Sequence, residues 1–517
     1  MSAPAVEPVA RRREPAHASK WAKVVDHTRC IGCHACSTAC KSENDVPVGV
    51  NRTYVKYVDV GVFPQVRRAF QVTRCNQCDD APCVTACPTR AMYRRPDGIV
   101  DFDKSICIGC KACIAACPYD AIFINPEDHS AEKCNFCAHR LDVGLEPACV
   151  VVCPTEAILV GDLTDPTSRV AHIVQRDVVA VRRPEKETRP KLFYKGAHQA
   201  TLDPLAARRP PGGLFLWSEQ SDGPGAVAPG HPGPANSSAA ALLSYDVPHR
   251  APWDWRVSAY TWTKGIAAGA YLVPAVFVLL GILDPTNPLW RWGAPATAGV
   301  FLAATGGLLI GDLTHPGRFW LIFTRPQWSS WLVRGAFIIG AFAAVLAVHV
   351  ILSFVGRPGP SWPVTFAGVV VAAATAIYTA YLFAQSKARD LWQNPLLPAH
   401  FLVQTVVAGS AILVPFAALL APEAVTVLLW TLGVSSLVHA LLIAGDASMT
   451  HGTAHARLAA QEMMRGKFRP FFVVGLGLTV MSALAPVVGP AAAPLALAGL
   501  LAYEHAFVQA GQAVPLA

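Results

Sequence analysis

Sixteen cysteines in the 517-residue sequence are the side chains whose type and spacing most clearly carry chemistry. All of them lie between Cys30 and Cys153, in four groups of four. The CxxCxxCxxxC spacing of CIGCHACSTAC is typical of cubic iron–sulfur clusters, and in such runs the fourth cysteine ligates a different cluster. In chain order the groups are Cys30, Cys33, Cys36 and Cys40; Cys75, Cys78, Cys83 and Cys87; Cys107, Cys110, Cys113 and Cys117; and Cys134, Cys137, Cys149 and Cys153.

The four groups repeat in pairs. CIGCHAC in the first group matches CIGCKAC in the third, and the second and fourth both contain CNxC and end in CPT, which indicates an internal repeat. Four [4Fe–4S] clusters require sixteen thiolates, so every cysteine is used. Disulfide frameworks belong to small secreted domains, and zinc sites pair two CxxC units across a longer gap, so both alternatives fit this spacing less well.

The charge balance changes once such clusters are counted. The formal net charge of +8 treats every cysteine as neutral. An oxidised cluster with four thiolates carries about −2, so four clusters contribute about −8. The loaded protein is then close to neutral. The basic sequence is therefore no indication of nucleic-acid binding, and we expect no nucleic-acid partner.

The region that must position the cysteines has short strand-like runs, turns and Cys-Pro junctions. Residues 21–181 therefore predict an α+β ferredoxin-like iron–sulfur domain made of two fused dicluster units. Residues 1–20 are polar and predict a disordered tail. Residues 182–250 are rich in proline, glycine and charge, so we expect a linker there rather than a core.

Residues 251–517 contain apolar runs long enough to cross a bilayer. The runs are apolar on all sides, whereas a soluble helix has one apolar stripe. They predict an all-α membrane domain of about eight transmembrane helices, at residues 257–283, 294–312, 333–355, 363–384, 401–421, 423–444, 470–488 and 492–511.

Basic residues in the connections predict the orientation of these helices. Eight crossings place both ends of the membrane domain, and the cysteine-rich domain before it, on one side. The connections on that side carry eight Lys and Arg residues and the opposite connections carry two, and such a bias marks the cytoplasmic side. We therefore expect an integral protein of the bacterial cytoplasmic membrane with its iron–sulfur domain in the cytoplasm. The residues counted are Arg318, Arg325, Lys387, Arg389, Arg457, Arg465, Lys467 and Arg469, against Arg291 and Arg357.

The cysteine groups resemble those of the iron–sulfur subunits of the molybdopterin oxidoreductases, which include polysulfide, thiosulfate, dimethyl sulfoxide, sulfite and formate enzymes. The membrane half is similar to the polysulfide-reductase-type (NrfD-like) membrane subunit of these enzymes. Two subunits that are usually separate in the family are fused here. The second similarity rests on WDWRVSAYTWTKGIAAGAYLV, GDLTHPGRFWLIFTRPQWSSWLVRG and YTAYLFAQSKARDLWQNPLLPAHF.

The resemblance implies an electron-transfer and membrane-anchor subunit of a quinone-linked multisubunit oxidoreductase, rather than the substrate-converting subunit. Its cofactors would be four [4Fe–4S] clusters and an exchangeable quinone, either menaquinone or ubiquinone. Its partners would be a molybdopterin-containing catalytic subunit, the membrane quinone and the lipid bilayer.

The resemblance also implies a ligand pairing, in which the first group pairs with the fourth and the second with the third. The spacing alone supports only the rule that the last cysteine of a run belongs to another cluster. Lys41 follows Cys40 where the other groups have proline, which leaves the ligand count unchanged. Carried over, the sets are Cys30, Cys33, Cys36 and Cys153; Cys40, Cys134, Cys137 and Cys149; Cys75, Cys78, Cys83 and Cys117; and Cys87, Cys107, Cys110 and Cys113.

Polar residues near the cytoplasmic ends of the helices are candidates for a quinone site, because ionisable groups within membrane spans tend to be functional. A quinone headgroup needs hydrogen-bond partners for two oxygens and a route for protons. The alternative is a set of helix-end anchors whose charged groups reach water. The candidates are Lys264, Asp312, His315, Arg318 and Arg334.

Two other functions fit parts of the membrane half. A b-haem cytochrome subunit would need two facing histidines, for which the sequence offers His349, His400, His439 and His505. A redox-driven proton translocator would need buried ionisable groups, and Glu504, His505, Asp446 and His439 could form a proton relay. Such residues can equally be polar contacts between helices.

Overall fold

The computed structural model of the protein describes residues 19–62, 64–208, 240–355 and 362–516. Most of the predicted disordered tail and the counted Arg357 lie outside the described residues. An α+β region is followed by a helical region, so the predicted fold class is confirmed. The two are called the cysteine-rich domain and the helical domain below.

The cysteine-rich domain contains, within the described residues, eleven strands in four small sheets. One sheet has the order β8-β1-β10-β9, a second has the order β11-β2-β3, and the pairs β4-β5 and β6-β7 form two short hairpins. The strands are β1 (Trp21–Asp26), β2 (Thr53–Val62), β3 (Gln65–Arg74), β4 (Met92–Arg94), β5 (Val100–Phe102), β6 (Ile122–Ile124), β7 (Ala131–Lys133), β8 (Ile158–Asp162), β9 (Val179–Ala180), β10 (Leu192–Lys195) and β11 (Ala241–Tyr245).

Short helices carry many of the cysteines between these strands. The repeated CIGC motif folds in the same way in both copies, since Gly32 and Gly109 each have φ +69° and His34 and Lys111 each have φ 61°. Left-handed backbone at the glycine is what a cysteine loop wrapped around one centre requires. The helices are α1 (Ala35–Glu43), α2 (Pro82–Ala86), α3 (Ala112–Ala116), α4 (Ala138–Leu141), α5 (Ala148–Val151), α6 (Arg169–Arg176) and α7 (Gln199–Leu202).

The segment predicted as a linker, residues 182–250, is folded where the structure describes it. Strand β10 pairs in parallel with β1, and β11 pairs with β2. His249 lies between Asp120 and Asp246 and ties the end of the segment to the loop after Cys117. The prediction is therefore wrong for residues 182–208 and 240–250. The proline- and glycine-rich stretch that suggested a linker, residues 222–238, lies outside the described residues.

The described helical domain has seven spans long and apolar enough to cross a membrane, one fewer than the predicted eight. The run predicted at 470–488 forms a 14-residue helix that ends before Ala483, followed by a four-residue helix that includes Pro486. The first of these is about 21 Å long, less than the roughly 30 Å apolar core of a bilayer, so it does not count as a span by itself. The two helices together carry the chain back to the side of the cysteine-rich domain, so both ends of the helical domain still lie on one side. The helices are α8 (Trp255–Leu279), α9 (Ala294–Gly311), α10 (Leu321–Thr324), α11 (Trp331–Phe354), α12 (Trp362–Gln385), α13 (Leu397–Leu420), α14 (Pro422–Ser448), α15 (Ala454–Met464), α16 (Arg469–Ser482), α17 (Ala485–Val488) and α18 (Ala492–Gly511).

Helix α8 is the centre of the helical domain. In the most apolar 18-residue stretch of α8, 78% is buried within the protein, whereas only 22% of the corresponding stretch of α11, at the periphery, is buried. It packs against α9, α12, α13 and α18. At the crossing of α8 and α13, Gly269 and Gly409 meet backbone to backbone, and a Cβ on either would overlap the other helix. Small residues at such a crossing allow helices to approach closely in a membrane.

The helical domain begins and ends on one side. The Trp253 backbone N–H donates to Gln512 Oε1 at 3.2 Å, and Gln512 Nε2 donates to the Trp253 carbonyl at 2.5 Å. Farther along, Arg182 of the cysteine-rich domain donates to the Leu516 carbonyl at 3.0 Å. Both ends of the helical domain therefore lie on the side of the cysteine-rich domain, as the sequence predicts.

Candidate functional site

Two cavities in the cysteine-rich domain are each lined by four cysteines. Cys30, Cys33, Cys36 and Cys153 line the first and are named the outer set. Cys87, Cys107, Cys110 and Cys113 line the second and are named the inner set. In both cavities three cysteines of one sequence group meet the last cysteine of another.

The other eight cysteines form two further sets. Asn44 Nδ2 lies 3.7 Å from Cys40 Sγ and 3.8 Å from Cys137 Sγ, so α1 and α4 meet there. Burial raises the pKa of the Cys40 thiol most, and the neighbouring thiols of Cys134 and Cys149 raise it further. Cys40, Cys134, Cys137 and Cys149 are named the second set. Burial raises the pKa of the Cys83 thiol most, Lys133 lowers it, and the neighbouring thiols of Cys117, Cys75 and Cys78 raise it further. Cys75, Cys78, Cys83 and Cys117 are named the third set. These neighbours are the ones in the pairing that the family resemblance implies, and the assignment of each set to one cluster stays a prediction.

The four sets suit iron–sulfur clusters. The outer and inner cavities each bring together four cysteine side chains, the number of ligands that a [4Fe–4S] cluster takes. Backbone N–H groups donate to several of the thiols at 3.2–3.5 Å, which stabilises thiolates. These bonds reach Cys75 from Gln77, Cys87 from Met92, Cys107 from Ala131 and Cys153 from Ala157.

The sets form a row. Cys36 of the outer set and Cys149 of the second set lie in one buried cluster. Gln77, beside Cys78 of the third set, donates to the carbonyl of Cys134 of the second set at 2.8 Å, and Cys83 of the third set lies in one buried cluster with Cys113 of the inner set. The order from one end to the other is therefore outer, second, third and inner.

The outer end of the row reaches solvent, and the inner end contacts the helical domain. Cys33 is exposed. At the other end Trp253 Nε1 donates to the Cys110 carbonyl at 3.2 Å, and Arg318 Nη1 donates to the Cys107 carbonyl at 3.0 Å. Ser330 Oγ donates to the Ala86 carbonyl at 2.9 Å. The row therefore connects a free surface to the start of the membrane spans.

The structure separates the five residues predicted for quinone binding. Although all five lie within the described residues, no side-chain hydrogen bond or ion pair joins any two of them. Asp312 accepts from Lys111 Nζ at 2.9 Å, and His315 Nε2 lies 3.1 Å from Ser130 Oγ. Asp312, His315 and Arg318 thus fasten the two domains together. The exposed Arg334 donates to the Trp328 carbonyl at 2.8 Å.

Lys264 lies apart from the other four, buried in the helical domain. Its ammonium group donates to the Ala376 carbonyl at 2.8 Å and to Thr379 Oγ1 at 2.7 Å, and it lies 5.0 Å from the centre of the Tyr378 ring. One turn earlier on α8, the buried Tyr260 hydroxyl has no hydrogen-bond partner among the described residues. One further turn earlier, Arg256 Nη1 donates to the carbonyl of Gly311, the residue before Asp312, at 3.1 Å.

Tyr260, Tyr378 and Thr379 are not among the residues predicted from the sequence. The i, i+4 spacing of Tyr260 and Lys264 on one helix face was a usable signal. No sequence signal pairs α8 with Tyr378 and Thr379 on α12, since only the packing of these helices brings them together.

The residues proposed for haem binding or proton transfer have other partners. The rings of His400 and His439 lie 4.9 Å apart, too close for a macrocycle between them. His349 packs on Trp290 with ring centres 4.5 Å apart, and His505 packs on Phe471 at 4.6 Å.

Of the acidic candidates, Glu504 accepts from Thr261 Oγ1 at 2.6 Å, and Asp446 accepts from Asn394 Nδ2 at 2.8 Å. His439 Nε2 lies 3.3 Å from Gln404 Nε2. These side chains thus make polar contacts within the helical domain, which is the alternative to a proton relay that the sequence also allows.

Family comparisons match each half of the protein separately. Residues 66–163 match the 4Fe-4S dicluster domain, and residues 245–515 match the family described as Polysulphide reductase, NrfD. The second match covers more than half of the sequence.

Several curated proteins are similar to the cysteine-rich half. A tetrathionate reductase subunit from Salmonella typhimurium is 43% identical over 212 residues, covering 40% of this chain and 84% of that protein. A polysulfide reductase component from Wolinella succinogenes is 42% identical over 179 residues, covering 34% and 94%. The iron–sulfur subunit ArrB of the arsenate respiratory reductase of a Shewanella species is 36% identical over 219 residues, covering 33% and 94%.

These matches agree with the architecture. The cysteine-rich half corresponds to iron–sulfur subunits along most of their length, and the helical half corresponds to an integral membrane subunit. The expected resemblance is confirmed. This protein belongs to the NrfD family of polysulphide reductase membrane proteins, in which it is a fusion with a 4Fe-4S electron-transfer subunit.

Proposed function

We propose that this protein relays electrons through four [4Fe–4S] clusters between a molybdopterin-containing catalytic subunit and the membrane quinone pool. The observation that carries the proposal is the row of four cysteine sets from the exposed Cys33 to Cys110 at the helical domain. Electron tunnelling weakens steeply with distance, so a row of centres divides one long transfer into short steps. The helical domain anchors the relay in the membrane and supplies the quinone site.

Each cysteine set would hold one cluster, and the cluster would supply one-electron transfer. The protein residues hold the sulfur ligands, exclude water and supply hydrogen bonds and charge that set the potential. The outer cluster would be held by Cys30, Cys33, Cys36 and Cys153, the second by Cys40, Cys134, Cys137 and Cys149, the third by Cys75, Cys78, Cys83 and Cys117, and the inner by Cys87, Cys107, Cys110 and Cys113.

The catalytic subunit would dock at the outer end. Cys33 is exposed there, and its neighbour Ile31 is 56% exposed, which is the combination that an electron-transfer contact needs. The similar proteins are named as parts of tetrathionate, polysulfide and arsenate reductases. Those names support a separate catalytic subunit for this protein as well.

The quinone headgroup would bind beside Tyr260, Lys264 and Asp312. The unpartnered Tyr260 hydroxyl and the Lys264 ammonium group are hydrogen-bond donors within one turn of α8, and a quinone presents two acceptor oxygens. Asp312 is bonded to Lys111, which follows Cys110 in the inner set. The site would thus lie next to the inner cluster, with Asp312 as a proton acceptor on quinol oxidation.

Replacing Lys264 with methionine, or Tyr260 with phenylalanine, is expected to slow the reduction of the clusters by a quinol analogue by about 10²-fold, because each change removes one donor to a quinone oxygen. The full-length purified protein is mixed anaerobically with the quinol, and cluster bleaching is followed by absorbance and EPR. Dithionite should reduce the variants as fully as the parent protein.

Lys387→Met, at an exposed lysine on the same side of the helical domain, is the matched control and should leave the rate unchanged. Unaltered rates in both Lys264→Met and Tyr260→Phe would contradict the quinone site. Robust substrate turnover by the purified protein alone would contradict the assignment as an electron-transfer subunit.

We also propose that the iron–sulfur domain faces the cytoplasm. The support is the excess of basic residues in the connections on its side of the helical domain. A fluorescent protein fused after Ala517 should be bright, and alkaline phosphatase fused there should be inactive. A phosphatase fused after Gly281, in a connection on the opposite side, should be active. A dark fluorescent fusion with high phosphatase activity at Ala517 would reverse the orientation.

A further inference from the structure

Two buried cations flank the thiol of Cys149 in the second set. Arg74 Nη1 donates to Cys149 Sγ at 3.0 Å, and Lys23 Nζ lies 3.7 Å from the same sulfur. Each side chain is only 1% exposed. Arg74 ends β3 and Lys23 lies in β1, so two sheets place a positive charge against one cysteine.

Neither cation has a carboxylate partner in the part of the protein that the structure describes. Lys23 Nζ lies 4.1 Å from the centre of the Phe136 ring, and the Nε and Nη2 groups of Arg74 have no hydrogen-bond partner there. Burying unpaired cations is costly, so a compensating negative charge belongs beside them. A cluster with four thiolates carries about −2 when oxidised and about −3 when reduced, and it would supply that charge.

The charges around the other sets differ. Lys133, the buried cation near the third set, donates to the backbone carbonyls of Val100 and Cys134 rather than to a thiol. Lys111, beside the inner set, is neutralised by Asp312. Arg74 also lies near Cys36 of the outer set, but it donates its hydrogen bond to Cys149 of the second set. The positive charge along the row is therefore concentrated at the second set.

We propose that Arg74 and Lys23 give the cluster of the second set the highest reduction potential in the row, so that an electron rests there, one step from the outer end. The inference rests on the proposed four-cluster relay. Reduction adds one negative charge, and a fixed cation in contact with a ligand sulfur stabilises that charge strongly where the surroundings are dry.

The position of this resting site has a functional consequence. Electrons entering at the inner set move toward the second set, and an incoming catalytic subunit meets a relay that already holds an electron near its docking surface. Arg74 and Lys23 act here through the cluster and do not touch the substrate of either partner. They are therefore positioning residues whose effect is a shift in potential.

The test is an EPR-monitored redox titration of the full-length protein with its clusters. Arg74→Gln and Lys23→Met should each lower the reduced-to-oxidised ratio of the highest-potential signal at least tenfold at a fixed ambient potential, about 59 mV for a one-electron couple. Arg74→Lys, which keeps the charge, should retain most of the parent protein's midpoint potential. Arg67→Gln, at an exposed arginine of the same strand, is the control and should leave every midpoint unchanged.

The outcomes separate the two proposals. If iron analysis and EPR show fewer than four clusters in the parent protein, the proposed relay fails. If four clusters titrate and neither Arg74→Gln nor Lys23→Met moves the highest-potential one, the present inference alone fails. Arg74 and Lys23 lie on different strands. If the variant at one of them does not fold, the variant at the other still tests the inference.

Discussion

Replacing Cys153 with serine is expected to remove the outer iron–sulfur cluster and to leave the third and inner clusters in place. The thiol of Cys153 shares its cavity with Cys30, Cys33 and Cys36, although it lies in the last cysteine group of the sequence. With one ligand lost, the variant should contain about one quarter less iron and lack one of the four EPR signals. Transfer from the reduced protein to the proposed catalytic subunit should fall to background, because the outer cluster is the proposed contact point.

Two further variants distinguish spatial sets from sequence groups. Cys36→Ser should remove the same EPR signal as Cys153→Ser, since both belong to the outer set. Cys40→Ser should remove a different signal, although Cys40 lies only four residues after Cys36, because it lies with Cys137 in the second set. If Cys36→Ser and Cys40→Ser were to remove one and the same signal while Cys153→Ser removed another, the crossed pairing would be refuted.

The iron–sulfur half could be predicted well from the sequence because its signals are local. The CxxCxxCxxxC runs fix short loops with left-handed positions, as Gly32 and Gly109 show. The apolar runs of the helical half are local signals too, since crossing a bilayer needs about twenty apolar residues in succession. The count differed by one because Pro486 and the break before it shorten α16, which hydropathy alone does not register.

Other features depend on packing between distant segments. Strand β10 joins its sheet only because β1 offers it a parallel edge, so the composition of residues 182–208 gave no indication of it. The bonding partners of Lys264 and Asp312, which are Thr379 on α12 and Lys111 of the cysteine-rich domain, could not be predicted because they lie far away in the sequence. Arg74 directly precedes Cys75 of the third set but donates to Cys149 of the second, because its side chain points to the other side of the strand.

The contact between the domains explains why a fusion suits this protein. The inner set does not approach the membrane through side chains of its own. Instead the connection between α9 and α11 brings His315, Arg318 and Ser330 to backbone atoms around Cys87 and Cys107. Arg318, one of the positive charges counted for orientation, therefore also holds the inner set in place. If the proposed function holds, any electron exchanged with a quinone in the helical domain passes this contact.

Replacing Cys110 with serine is expected to abolish the reduction of the other three clusters by quinol while dithionite still reduces them. Cys110 belongs to the inner set, and its carbonyl accepts from Trp253 at the start of the first membrane helix. Without the inner cluster, an electron would have to tunnel from the quinone directly to the third set, across the gap that the inner cluster divides. Quinol-dependent bleaching of the remaining clusters should therefore drop to background.

The control is the variant Cys153→Ser, which removes the cluster at the opposite end of the row. In Cys153→Ser the quinol should reduce every remaining cluster at the rate of the parent protein, because the missing centre lies beyond them. Dithionite is in solution and can reach the exposed outer end beside Cys33, so it should reduce the three clusters left in Cys110→Ser. If quinol reduced those three clusters at the parent rate although the inner signal is absent, the electrons would enter the row elsewhere, and the placement of the quinone beside Tyr260, Lys264 and Asp312 would be wrong.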